Sequence, residues 1–134
     1  MKGHNKTLYT LFLCIYLIAV GVLCFLKPSS LPEVNIKTFL GLPLDKVLHF
    51  LMFTPFPILS SLVFINKNQK TGISLLILSI LAAAGACISY GTELIQSEIG
   101  YRSYEIQDFY ADLTGIATGS MISAIYLTYT KLKK

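Results

Sequence analysis

Charge is what this sequence has least of. Only 13% of its 134 residues are Asp, Glu, Lys or Arg, against 54% hydrophobic. A short chain has too much surface to hide so many large apolar groups, so this composition argues against a water-soluble domain. Cysteine is scarce as well. Cys14, Cys24 and Cys87 are odd in number and sit inside apolar runs, which argues against a disulfide framework and leaves them as small packing side chains. No small-x-small cleavage site follows Leu26, and the first apolar run outlasts the roughly 7–15 residues of a signal-peptide core. A lipoprotein signal is missing too, because Leu23 stands where a small residue should precede Cys24. The run beginning at Thr7 therefore reads as an uncleaved span.

What the chain does have is apolar length. A helix needs about 20 mostly apolar residues to cross roughly 30 Å of hydrocarbon. Four stretches qualify: Thr7–Leu26, Val47–Ile65, Gly72–Ile95 and Phe109–Tyr129. Together they leave no room for a separate soluble domain. The expected fold is all-α, a four-transmembrane-helix bundle forming a single integral membrane domain over residues 1–134.

Acidic residues are absent from one set of segments. Lys2, Lys6, Lys67, Lys70, Lys131, Lys133 and Lys134 occupy the tails and the short middle connection, with no Asp or Glu among them. The loops at 27–46 and 96–108 instead set Lys27, Lys37, Lys46 and Arg102 against Glu33, Asp45, Glu98, Glu105 and Asp108. The net charge of +4 is thus a membrane signature, not a nucleic-acid one. By the positive-inside rule both termini are cytoplasmic and the two mixed loops face outward.

Along the chain, span 1 is featureless apart from Tyr9, Tyr16 and Gly21, and is expected to pack or face lipid. The outer loop carries Pro28, Pro32 and Pro43, which break any continuous helix. Its stretch Val34–Leu42 fits either a segment lying flat on the membrane or an ordinary loop. Pro55 and Pro57 predict a kink in span 2. Span 3 holds the small-residue run "LAAAGACIS", and span 4 sets Ala111, Gly115, Gly119 and Ser123 one turn apart. Such faces allow close helix approach in lipid, so spans 3 and 4 are expected to pack tightly on each other.

The outward ends of three spans carry the ionisable groups. Asp45 and His49 are i and i+4 at the start of span 2, as are Asp108 and Asp112 in span 4. A rise of 1.5 Å per residue from Lys70 brings Glu93 about 30 Å along span 3, to the outer boundary, with Gln96 at i+3. Lys46 and Arg102 flank this group. Ionisable residues within spans are candidates for function by default, and the binding set read here is Asp45, Lys46, His49, Glu93, Gln96, Arg102, Asp108 and Asp112. Ion pairing that locks three helix ends together is an equal alternative. Carboxylates with one histidine also suit a divalent cation. The ligands come from separate helices without a compact motif, so neither a metal site nor a cofactor is assigned.

The same residues carry a family resemblance. "DKVLHFLMF", "YGTELIQ", an arginine turn and "DFYADLTGIATG" resemble the VanZ-like family of small integral membrane proteins. Members read D-K-x-x-H-x-x-x-F, then E-x-x-Q, an arginine, and D-x-x-x-N-x-x-G. Asp45, Lys46, His49, Phe53, Glu93, Gln96, Arg102, Asp108, Gly115 and Gly119 match, across residues 44 to about 120. Asp112 departs from the pattern by replacing the usual asparagine. The resemblance implies a multi-pass protein of the bacterial cell membrane, related to a member associated with resistance to teicoplanin, a lipid-tailed glycopeptide. It establishes no catalytic residue.

Three functions follow from this reading. The first is an outward polar pocket that binds an amphipathic cell-envelope molecule or lipoglycopeptide. The second is an interfacial enzyme with His49 as general base, oriented by Asp45 or Asp112, and Glu93 as acid. It lacks an activated serine or cysteine nucleophile. The third is a structural helper whose polar cluster only holds helices. A transporter ranks last, because four spans without an internal repeat need an oligomer to form a path.

Overall fold

A computed structural model describes residues 3–25, 38–66, 68–100 and 105–132. Its helices are α1 (Gly3–Phe25), α2 (Leu44–Phe53), α3 (Pro55–Phe64), α4 (Thr71–Ile99) and α5 (Ile106–Leu132). Helices α2 and α3 form one bent rod, Leu44–Phe64. This rod, Asn5–Phe25 and Thr71–Ile99 are long and apolar enough to cross a membrane.

The break between α2 and α3, at Thr54, lies where the sequence predicts a kink. Pro55 and Pro57 remove two amide donors from the helical ladder. Thr54 keeps a helical backbone between the halves, and both its amide and its hydroxyl bond to the Phe50 carbonyl, at 3.1 and 2.7 Å. The Tyr16 hydroxyl of α1 donates to the Met52 carbonyl at 2.5 Å in the same turn. Tyr16, one of the few polar features of span 1, thus supplies a hydrogen bond where the prolines interrupt the ladder.

Helix α5 is the central element, packing on α2, α3 and α4. Its 27 residues reach about 40 Å, ample for a span. It falls outside the apolar set, being rich in threonine and tyrosine as well as carrying Asp108, Asp112, Gly115, Gly119 and Ser123 on its buried side. Its other face is apolar and exposed, with Met121, Ile122 and Ile125 on it.

Small residues work differently from the expectation. Helices α4 and α5 are neighbours, but the glycine stripe of α5 faces the bent rod. A Cβ on Gly115 would stand 2.5 Å from the Phe50 carbonyl oxygen, and one on Gly119 would overlap the Thr54 carbonyl and come within 2.7 Å of the Pro57 ring. Only glycine admits the Phe50 and Thr54 carbonyls at this distance. The small face of α4 uses Gly85 to seat Phe56 and Ile116.

Polarity is distributed inside out. Ser74, Ser89 and Asp112 have no exposed surface, whereas Ile18, Ile80, Met121 and Ile125 are each at least 60% exposed. That pattern suits a solvent of hydrocarbon. The apolar interior includes Val20, Cys24, Phe53 and Ile116 near the bend and Ile65, Leu78 and Leu127 towards the other end.

One departure from all-α lies in the connection that leads into α2. Residues Thr38–Phe39 and Leu42–Pro43 pair as a two-stranded antiparallel hairpin leading into α2. Its central pair, Leu40 and Gly41, both have positive φ (51° and 80°), the requirement of a tight primed turn. Glycine meets it freely, whereas Leu40 adopts it against its own preference. The "LG" pair gave a weak turn signal beside the three prolines.

Candidate functional site

Helices α2 and α5 begin at the end of the bundle where α4 finishes. Helix N-termini carry partial positive charge, which favours carboxylates in the first turn, and Asp45 and Asp108 occupy those positions. Glu105 immediately precedes α5. Lys46 sits among the three. Its ammonium lies 3.0 Å from Asp45 Oδ2 and 2.6 Å from Glu105 Oε2, and it also bonds Asp108 Oδ1. Glu105, left out of the sequence-based set, stood as one more acidic residue in the connection before α5.

Deeper in, the geometry tightens around His49. Its Nδ1 lies 3.0 Å from Asp112 Oδ1 and 4.0 Å from Glu93 Oε1, while Nε2 lies 3.6 Å from Asp108 Oδ2. The second oxygen of Asp112 accepts from the Ser89 hydroxyl at 2.6 Å. His49, Glu93, Asp108 and Asp112 are all buried, at 0–6% exposure. Sequence reasoning missed Ser89, although it lies one turn before Glu93 on the same face of α4. Polar spacing of i and i+4 was the available signal.

Asp108 joins the two levels by offering one oxygen to Lys46 and the other to His49. Gln96 belongs to neither level. Its amide donates to the Cys24 carbonyl at 2.6 Å, satisfying a carbonyl in the last turn of α1 that lacks an intrahelical donor. Its visible task is to fasten α1 to α4. Arg102 lies outside the described residues.

An apolar groove adjoins the upper level. About 420 Å³ in volume, it is lined by Phe39, Leu40 and Leu42 of the hairpin, by Val47, Phe50 and Leu51 of α2, and by Ala111 and Thr114 of α5, with Lys46 at its edge. Lys46 thus belongs both to the charged level and to the wall of the apolar trough.

The VanZ/LLP1 family model matches residues 12–127. This chain belongs to the VanZ/LLP1 family. The match takes in most of α1 as well as the bent rod, α4 and α5, and it encloses both levels of the VanZ/LLP1 polar site. No curated protein and no solved structure matches the chain.

Proposed function

We propose that this VanZ/LLP1 protein binds an amphipathic cell-envelope molecule, its head group at the upper polar level and its tail in the adjoining groove. In this reading the protein sits in a bacterial cell membrane and α5 crosses beside α4 as a fourth span. Both termini are cytoplasmic and the site faces outward. The observation that carries the reading is that Lys46, the side chain that gathers Asp45, Glu105 and Asp108, also lines a trough able to take part of an acyl chain. One ammonium already serves three carboxylates, so the level offers acceptors rather than spare positive charge. Head groups rich in hydroxyls and amines suit it better than bare phosphates. A lipid-tailed glycopeptide or a lipid-linked sugar precursor has that character, in keeping with the family's teicoplanin association.

The chain contains no tryptophan, so Leu42→Trp places a single reporter at the groove. Purified Leu42→Trp protein in lipid nanodiscs is titrated with a lipoglycopeptide, with the same glycopeptide stripped of its fatty chain, and with a lipid-linked sugar. Saturable emission changes are expected with a tailed ligand. They should weaken for the deacylated form and again when Asp45→Asn and Glu105→Gln are added. No saturable response to either tailed ligand, or an equal response to the deacylated form, rejects the proposal.

A further inference from the structure

The lower polar level holds a donor arrangement that amphiphile binding does not use. We propose that His49, Glu93 and Asp112 form a binding site for one divalent transition-metal ion of the zinc or manganese class. The three side chains come from α2, α4 and α5, each is at least 95% buried, and one donor atom from each lies within 4.8 Å of the others. Ligands about 2.0–2.2 Å from a tetrahedral zinc stand about 3.3 Å apart. His49 Nδ1 lies 3.0 Å from Asp112 Oδ1 and 4.0 Å from Glu93 Oε1. These spacings bracket that value, so small rotamer shifts suffice for coordination.

Two features around the donors point the same way. A metal-bound histidine usually turns its other ring nitrogen to a carboxylate or carbonyl, which fixes the ring and its tautomer. Here Nε2 faces Asp108 Oδ2 at 3.6 Å while Nδ1 faces the two proposed ligands. Ser89 meanwhile holds the second oxygen of Asp112 at 2.6 Å, aiming the first at His49. Charge supplies the other argument. Two carboxylates against one imidazole leave excess negative charge in an interior that penalises it. A dication with a neutral imidazole balances the two carboxylates. One imidazole and two carboxylates form a mixed donor set that suits zinc or manganese.

The test uses full-length protein in lipid nanodiscs, stripped with a chelator, dialysed against Zn²⁺ and assayed for retained metal by elemental mass spectrometry. Co²⁺ loading provides a visible spectrum as a second readout. Wild-type protein should retain Zn²⁺ stoichiometrically. Glu93→Gln and Asp112→Asn, which keep size and hydrogen bonding, should lose it while remaining helical and monodisperse. Ser89→Ala should weaken binding about 10- to 100-fold, as expected when a group orienting a ligand is removed. Asp45→Asn should leave Zn²⁺ retention unchanged, which separates this site from the acidic level above it. Absence of Zn²⁺ and of a Co²⁺ spectrum in wild type overturns the proposal. So does equal retention by Glu93→Gln and Asp112→Asn, or loss of metal in Asp45→Asn. The three proposed metal ligands take no part in head-group binding, and the readouts differ, so either proposal can fail alone.

Discussion

Gly119→Ala adds one methyl group where the backbones of α5 and the bent rod nearly touch. The new Cβ would overlap the Thr54 carbonyl oxygen and lie 2.7 Å from the Pro57 ring. That is roughly an ångström inside the separation non-bonded heavy atoms prefer. Neither neighbour is the free end of a flexible side chain, so relief requires α5 to move away from the rod. Overpacking of this kind costs about 1–3 kcal/mol and sometimes more. Alanine's better helix propensity returns only about 0.5–1 kcal/mol. A separation of about an ångström would also stretch the 3.0 Å contact between His49 and Asp112 beyond hydrogen-bond range. Gly91→Ala is the matched control, because nothing lies within 4 Å of a Cβ there, and it should be neutral or mildly stabilising. Unfolding in detergent or nanodiscs, followed by circular dichroism, compares the two variants. Equal stability of Gly119→Ala and Gly91→Ala would refute the close-approach argument.

Lys46→Met removes the ammonium shared by Asp45, Glu105 and the buried Asp108. Breaking such a pair costs roughly 3–5 kcal/mol when buried. The low end applies at this partly open mouth, and adding Asp108→Asn should recover much of the loss in the same unfolding assay. Topology is tested with single cysteines at Asn68 and Ser103 in a chain otherwise free of cysteine. An impermeant thiol reagent on intact cells should label residue 103 and spare residue 68, and the reverse pattern would turn the proposed site to the cytoplasm.

The helices were legible in the sequence because their signals are local. Uninterrupted apolar length marks α1 and α4, and Pro55 and Pro57 mark the bend before any packing is known. Their partners were less legible. The small residues of α5 announce a close approach without saying to which helix. The answer depends on where the proline bend presents the carbonyls of Phe50 and Thr54, a tertiary fact. The hairpin at 38–43 escaped for another reason. Its strands are two residues long, too short for alternation to register, and its turn uses a leucine at positive φ.

The polar site shows the same division. Helical spacing was enough to bring Asp45, His49, Glu93, Asp108 and Asp112 to one end, because i and i+4 residues share a face whatever the helix packs against. It does not say which of them meet. Gln96 shares the Glu93 face yet turns to the Cys24 carbonyl, because an unsatisfied helix end competes successfully for its amide. Ser89 enters the site because Asp112 has a second oxygen to satisfy. The division into two levels follows from Asp108 alone, whose oxygens point one to Lys46 and one to His49. A carboxylate shared in this way ties the two levels electrostatically. A cationic or hydroxyl-rich group that draws Asp108 outward weakens its hold on His49 Nε2, and a dication at Nδ1 strengthens the partial charge on that same N–H. If both proposals hold, occupancy of the groove border and of the buried donors would be coupled through Asp108, a side chain of the central helix.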